Sequence, residues 1–304
     1  MTKHIVVTGA TGKQGRAVVQ SLLKHASFNA SEHSIAVVTR DVNSRTTLSL
    51  TQESPAVRAV QGDFKQPSSI FSALLPEKPW AAFIMTVPGP NEVAEGTGLI
   101  DAAAKAGVSH IVLSTVDRGK ENNGNNPSDV SHWQTKHEIE AHLRRVVEEK
   151  KNQPGTLTYT ILRPVFFMDN LNPGFFGKVC GSVWRDFINK GSLKLVDSKD
   201  IGNFAAAALL DPESEAWRNA ETSIVSDELT YLQANDVFRE HTGQDIAVSW
   251  RWLTSVLCSL NKDFQMMSRF LREKGYGGEA GVARSGVQVT SFKAWVIRNS
   301  DQFR

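Results

Sequence analysis

The stretch His4-Ile5-Val6-Val7-Thr8-Gly9-Ala10-Thr11-Gly12-Lys13-Gln14-Gly15 decides the fold. A short β-branched run ends in three glycines spaced G-x-x-G-x-x-G. A helix follows at once, with Ala17, Val18, Val19, Leu22 and Leu23 as its apolar stripe. Strand, glycine turn and helix in that order point to a cradle for a dinucleotide pyrophosphate. Gly9 allows the tight turn, Gly12 lets backbone N–H groups approach the phosphates, and Gly15 lets the helix pack closely on the strand. The anion would then sit at a helix N-terminus, where unpaired N–H groups and the helix dipole favour negative charge.

Strands and helices alternate beyond this turn, which predicts βαβ units and a parallel sheet. Further strands are expected at 35–39, 56–61, 81–85, 110–114 and 156–162, and helices at 67–75, 91–106 and 131–150, with Gly107 as a C-terminal cap. The fold class is α/β, a Rossmann-like doubly wound parallel sheet. Residues 1–164 would form the dinucleotide-binding domain, and 165–304 a smaller lobe over the carboxyl ends of the strands, where open α/β sheets bind ligands. Four of the seven tryptophans (Trp184, Trp217, Trp250, Trp252) fall between Pro164 and residue 260. A loop from Gly119 to Ser131, rich in Asn, Gly, Asp and Ser, is either a connector or a flap over a substrate.

Composition narrows the function classes. Hydrophobic residues at 40% and charged residues at 22% of 304 describe an ordinary globule with ample core. A formal charge of +2 gives no reason to expect nucleic acid or an anionic membrane as partner. The run 204–210 is too short to span a bilayer. The N-terminal residues lead directly into the first strand without the regions of a secretory signal, and the low cysteine count makes a reducing cytoplasm the expected compartment. Two cysteines, Cys180 and Cys258, are too few for a disulfide framework, although a single bridge between them stays open.

Dinucleotide folds that prefer NAD place an acidic residue after the second strand; here Arg40 follows Ala36-Val37-Val38-Thr39. A guanidinium binds a 2′-phosphate bidentately where a carboxylate repels it, so NADP(H) is the expected cofactor. Arg45 is either a second phosphate partner or a solvated arginine. Asp63, after the third strand, either accepts from the adenine amine or caps the helix near Pro67. Ser114 and Thr115 end the fifth strand on the nicotinamide side. On the next helix His132 and Lys136 stand four residues apart and share a face. There a lysine can hold the nicotinamide ribose, and a histidine can exchange a proton near neutral pH. No metal site is expected: His137-Glu138-Ile139-Glu140-Ala141-His142 has its histidines five apart, not four. No Gly-x-Ser-x-Gly elbow and no P-loop lysine occur.

These residues resemble the NmrA-like group of atypical short-chain dehydrogenase/reductases. The likeness rests on the glycine turn, Val38-Thr39-Arg40, Gln61-Gly62-Asp63, the helix from His132 to Glu140, and Thr160 to Leu171 with its Arg163-Pro164-Val165-Phe166-Phe167-Met168-Asp169-Asn170 core. Asp200-Ile201-Gly202, Asp227 to Tyr231 and Phe292-Lys293-Ala294-Trp295 extend it over nearly the whole chain. The resemblance implies NADP(H) held by Gly9, Thr11, Gly12, Lys13, Gln14, Gly15, Arg40, Asp63, Phe64, Thr86, Val87, Pro88, Lys136, Phe166, Phe167 and Asn170. Lys136, His132 and Ser114 are the candidate catalytic residues. One departure matters: short-chain dehydrogenases use Tyr-x-x-x-Lys, and the tyrosine position here holds His132. Two functions therefore stand side by side. One is an NADPH-dependent reductase of a small hydrophobic, aromatic or unsaturated substrate, with Phe166, Phe167, Trp184 and Phe187 as either pocket or core. The other is a redox-sensing regulator that binds NADP(H) and a protein partner without turnover.

Overall fold

Unbroken apolar runs such as Ile5-Val6-Val7 and Ala81-Ala82-Phe83-Ile84 bury both faces of a strand, and that demands a helical layer on each side of the sheet. The computed structural model describes residues 2–74, 77–119, 130–152, 155–188, 191–250, 262–278 and 286–303. The strands are β1 (Lys3–Val7), β2 (His33–Thr39), β3 (Val57–Gln61), β4 (Pro79–Met85) and β5 (His110–Ser114). They continue with β6 (Thr158–Pro164), β7 (Phe166–Phe167), β8 (Ser192–Val196), β9 (Ala220–Ile224) and β10 (Asp227–Thr230). The helices are α1 (Lys13–Lys24), α2 (Arg45–Glu53), α3 (Pro67–Ser72) and α4 (Glu92–Lys105). After them come α5 (Ser131–Lys150), α6 (Phe175–Ser182), α7 (Ser198–Leu210) and α8 (Tyr231–Thr242).

Seven strands form one sheet in the order β3-β2-β1-β4-β5-β6-β9, with parallel pairing from β3 through β6. The order reverses between β1 and β4, the switch point where doubly wound sheets bind ligands. Val6, Ala36, Val38, Ala82, Ile84, Ile111 and Leu113 face one layer, packed with Leu99 and Ile100 of α4 and Ile139 and Leu143 of α5. The alternate positions Ile5, Val7, Ile35, Val37 and Phe83 are equally buried, as period-two side-chain alternation requires. Gly202 of α7 meets α1 closely: a Cβ there would lie 2.5 Å from the Ala17 carbonyl oxygen. Gly107, at φ +83°, ends α4 as its sequence suggests.

The chain divides into two compact units that interleave along the sequence rather than meeting at one boundary near residue 164. The first takes Met1–Thr115, Thr135–Arg163 and Ile201–Thr222; the second takes Val116–Gln134, Pro164–Asp200 and Ser223–Arg304. In the second, β8 pairs in parallel with β7 and antiparallel with β10. Trp184, Leu193, Leu195, Phe238, Phe292 and Trp295 form its core. A capping box closes the start of α8: Thr230 accepts from the Gln233 N–H, and the Gln233 side chain accepts from the Thr230 N–H. Buried Asp200 accepts from Ser226 Oγ and from the N–H and hydroxyl of Thr290.

Several boundaries differ from expectation. The sixth strand starts at Thr158, where its N–H donates to the Ser109 carbonyl and opens the ladder. Helix α2 was not anticipated; its polar run Arg45–Glu53 buries only Thr47 and Leu50. Trp184 is 1% exposed and packs edge-on against Tyr231 and Phe292, so it belongs to the core and not to a pocket lining. Residues 120–129 of the Gly119–Ser131 loop, with Leu75, Trp252 and Cys258, lie outside the described residues. No helix among the described residues is long and apolar enough to cross a membrane.

Candidate functional site

The glycine turn hangs from the end of β1. Thr8 fixes it to β4: its hydroxyl donates to the Phe83 carbonyl at 3.1 Å and accepts from the Met85 N–H at 3.0 Å. Gly9 then turns the chain at φ +63°, and the Gly12 N–H closes the turn on the Gly9 carbonyl at 2.9 Å. A Cβ on Gly15 would lie 2.4 Å from the Gly9 oxygen and 2.7 Å from Ala10 Cα, so helix and strand touch there backbone to backbone. At Gly12 the Gly9 carbonyl oxygen, 3.3 Å away, is the one atom among the described residues within 4 Å of such a Cβ. Gly12 is also the N-cap of α1, with no side-chain hydrogen bond capping the helix. The first-turn N–H groups have no intrahelical acceptor, which leaves an uncapped, positively polarised helix end at the switch point.

The other predicted residues of the first unit stand on the sheet, its helices and the loops that follow its strands. Ser114, at the end of β5, donates to Gln14 Oε1 at 2.7 Å and ties α1 to β5. Arg40 ends β2 as an exposed side chain with no ion-pair partner among the described residues. Arg45 is exposed at the start of α2, whose N–H of Thr47 is taken by Ser44 Oγ. Asp63 does not cap α3: that position is Gln66, and the Asp63 carboxylate instead accepts from the Lys65 N–H at 3.0 Å in a local turn. Phe64 packs on the sheet core. Thr11 and Lys13 are exposed on the turn, and Val87 and Pro88 on the loop after β4.

Lys136 is the most constrained member. Its Nζ lies 2.7 Å from Glu92 Oε1, 2.7 Å from Thr86 Oγ1 and 3.0 Å from the Thr86 carbonyl oxygen. Glu92 in turn accepts from Thr86 Oγ1 at 2.8 Å and Thr135 Oγ1 at 2.6 Å. Burial pulls the Lys136 ammonium below its ordinary range, opposed by the charge of Glu92. Burial pushes the Glu92 carboxyl up, but the charge and hydrogen bond of Lys136 outweigh it and hold Glu92 below the usual carboxylate range. One turn further along α5, Glu140 accepts from Thr115 Oγ1 at 2.7 Å and from Arg163. Arg163 bridges on to Glu221 at 2.6 Å. Sequence reasoning missed both Glu92 and Glu140. The i, i+4, i+8 series Lys136, Glu140, Arg144 was the available signal for the second.

The remaining predicted residues belong to the second unit. His132 Nδ1 lies 3.5 Å from Asp263 Oδ2, and Asp263 also accepts from the Ser131 hydroxyl at 2.6 Å. The Ser131 hydroxyl, ahead of that histidine, holds the Asp263 carboxyl below its ordinary value. Phe166 is 6% exposed within the core of that unit, while Phe167 and Asn170 are half-buried. Nothing is described for the side chain of Phe187.

A glycine cradle at the switch point of a doubly wound sheet has known counterparts. The family model described as "NmrA-like family" matches residues 1–292. The chain belongs to the NmrA-like family. An NmrA-like family domain-containing protein of Dictyostelium discoideum is 26% identical over 97% of each chain. An NmrA-like oxidoreductase of Aspergillus flavus is 26% identical over 96% of this chain and 92% of its own. Among solved structures, the triphenylmethane reductase of Citrobacter complexed with NADP(H) superposes with a TM-score of 0.70 at 20% identity. It covers 97% of this chain and 99% of its own.

Proposed function

We propose that this protein binds NADP(H) and reduces a small hydrophobic acceptor, aromatic or unsaturated. The observation that carries the reading is the uncapped α1 N-terminus behind an open Gly12, with the exposed Arg40, which has no ion-pair partner among the described residues, just after the adjacent β2. The first-turn N–H groups of α1 receive the pyrophosphate and Arg40 the 2′-phosphate. Asp63 and Phe64 flank the adenine side, and Thr86, Val87, Pro88 and Lys136 serve the nicotinamide half. When bound, the dinucleotide supplies the hydride. His132, oriented by Asp263, donates the proton, with Ser114 the second candidate. Phe166, Phe167 and Asn170 are assigned to the same ligand by the family resemblance. The named activities of relatives support the class: one is an NAD(P)H azoreductase of Xenophilus azovorans, 27% identical over 69% of this chain.

A screen of NADPH oxidation against quinones, azo compounds and ketones tests this. The expected result is turnover with at least one class, lowered about 10²–10⁴-fold by His132→Ala with cofactor affinity unchanged. The second reading, a sensor without turnover, is favoured by the histidine in the tyrosine position. It is favoured also by the likeness (TM-score 0.61, 17% identity) to NmrA, a negative transcriptional regulator crystallised with NAD. Tight NADPH binding with no turnover on any acceptor would select it.

A further inference from the structure

A tyrosine ring packed among apolar side chains carries a polar tip, and that tip ordinarily finds a partner inside the protein. Tyr231 of the second unit follows the rule, donating to the Ile246 carbonyl at 3.4 Å. Tyr276 does not. Its ring meets Phe270 edge-on at 5.9 Å between centroids and lies tilted against Trp133 at 6.1 Å; Trp133 meets Phe270 edge-on at 4.7 Å. Trp133 and Phe270 are buried, and Tyr276 is half-buried in front of them. Among the described residues the Tyr276 hydroxyl has no hydrogen-bond partner. Burial, ahead of the charge of Asp117, pushes its phenol above the ordinary range, so the group keeps its proton and can donate.

The backbone around this side chain is pinned. Gly275, at φ +67°, follows the helix Lys262–Glu273 and donates its N–H to the Phe270 carbonyl at 2.9 Å; Gly278, at φ +70°, turns the chain again. Between them the Gly277 N–H donates to Asp117 Oδ1 at 2.6 Å, and Lys194 Nζ donates to the Gly278 carbonyl at 2.6 Å. Asp117 accepts further from the Gly119 N–H at 2.8 Å and from the Ser223 hydroxyl. Half-buried Met266 and Met267 stand one turn back from Phe270 on its helix, and thioethers adapt to flat apolar guests. Trp133 also meets His132, the proposed proton donor, edge-on at 5.8 Å.

We propose that Tyr276, backed by Trp133 and Phe270 and flanked by Met266 and Met267, forms the subsite for the acceptor, and that its hydroxyl donates a hydrogen bond to an oxygen of a flat aromatic carbonyl compound bound there. Apolar side chains supply the contact area, and one fixed donor sets the orientation of the guest. Asp117 and Lys194 are positioning residues, holding the Gly275–Gly278 loop that carries the tyrosine. The inference rests on the proposed aromatic acceptor.

Removing the hydroxyl alone tests it, with two probes. Menadione carries the acceptor oxygens on a naphthalene skeleton, and 2-methylnaphthalene has the same skeleton without them. In calorimetric titrations with NADP+ present, so that no turnover occurs, Tyr276→Phe should weaken menadione about three- to tenfold, the net worth of one neutral hydrogen bond. Binding of 2-methylnaphthalene should agree between the two proteins within about twofold. The melting temperature of the variant should not fall, because the hydroxyl pairs with nothing in the fold. Equal menadione affinity in wild type and variant overturns the proposal. Equal losses for both probes overturn it as well, since Tyr276 would then act by packing alone. Wild-type protein that binds neither probe removes the subsite. Menadione bound in a Tyr276-dependent way, with no NADPH oxidation on any acceptor, supports the subsite and refutes the reductase reading.

Discussion

In the proposed function Arg40 carries the choice between dinucleotides, because it is the charged side chain just after β2 and no acidic side chain among the described residues pairs with it. Arg40→Asp should weaken NADP(H) by about 2–4 kcal/mol, through a lost charge-assisted contact and a new repulsion. NAD(H) affinity should stay level or improve; equal losses for both, by competitive titration, would free Arg40 of that role. His110 makes a different kind of prediction. It is fully buried between Thr158 Oγ1 at 2.8 Å and Thr160 Oγ1 at 3.1 Å. Burial, aided by the charge of Arg218, pulls its pKa from 6.5 down to about 3. The folded protein must keep this ring neutral while the unfolded chain protonates it from 6.5 downward. Its contribution is intact above 6.5 and is lost as pH falls towards 3, by about 1.4 kcal/mol per pH unit. Urea unfolding of wild type and His110→Gln at pH 7, 5.5 and 4.5 should show a slope that the variant lacks; parallel curves would contradict the assignment.

At the scale of elements, the glycine turn separates packing from binding. Gly15→Ala places a methyl against backbone, 2.4 Å from the Gly9 oxygen, and overpacking of this kind costs about 1–3 kcal/mol. Gly12→Ala meets only one atom, at 3.3 Å, which a small shift relieves. Thermal melts should therefore fall for Gly15→Ala and hold for Gly12→Ala, while dinucleotide titrations fail for Gly12→Ala. A Gly12→Ala protein that binds normally would remove the pyrophosphate from this turn. The turn was legible because β-branched residues, glycines and an apolar helical stripe follow one another within the span 4–23. Glu92 was not legible: it reads as an ordinary acidic residue in the first turn of a helix. Its burial depends on Lys136, forty-odd positions away in the chain. Helix α2 escaped for the converse reason, since a run with two buried residues and several hydroxyls carries almost no apolar period.

For the whole molecule, the alternation of strands and helices made six strands of the seven-stranded sheet readable, and β9 (Ala220–Ile224) was not among them. In the second unit β7 spans two residues and β8 and β10 five and four, too short to leave a periodic trace. Interleaving of the two units arises because the chain crosses between them at Thr115, Gln134, Arg163, Asp200 and Thr222. Such crossings depend on tertiary packing, and composition does not mark them. The comparison with the NmrA-like family over residues 1–292 agrees with the resemblance carried by the motifs. The claim on which the account turns is that this fold holds NADP(H) in the cradle at its switch point. Calorimetric titration of the wild-type protein with NADPH and with NADH tests it most directly. One NADPH per chain, bound about tenfold or more tighter than NADH, is the predicted result. No binding of either dinucleotide, or a preference for NADH, would contradict it.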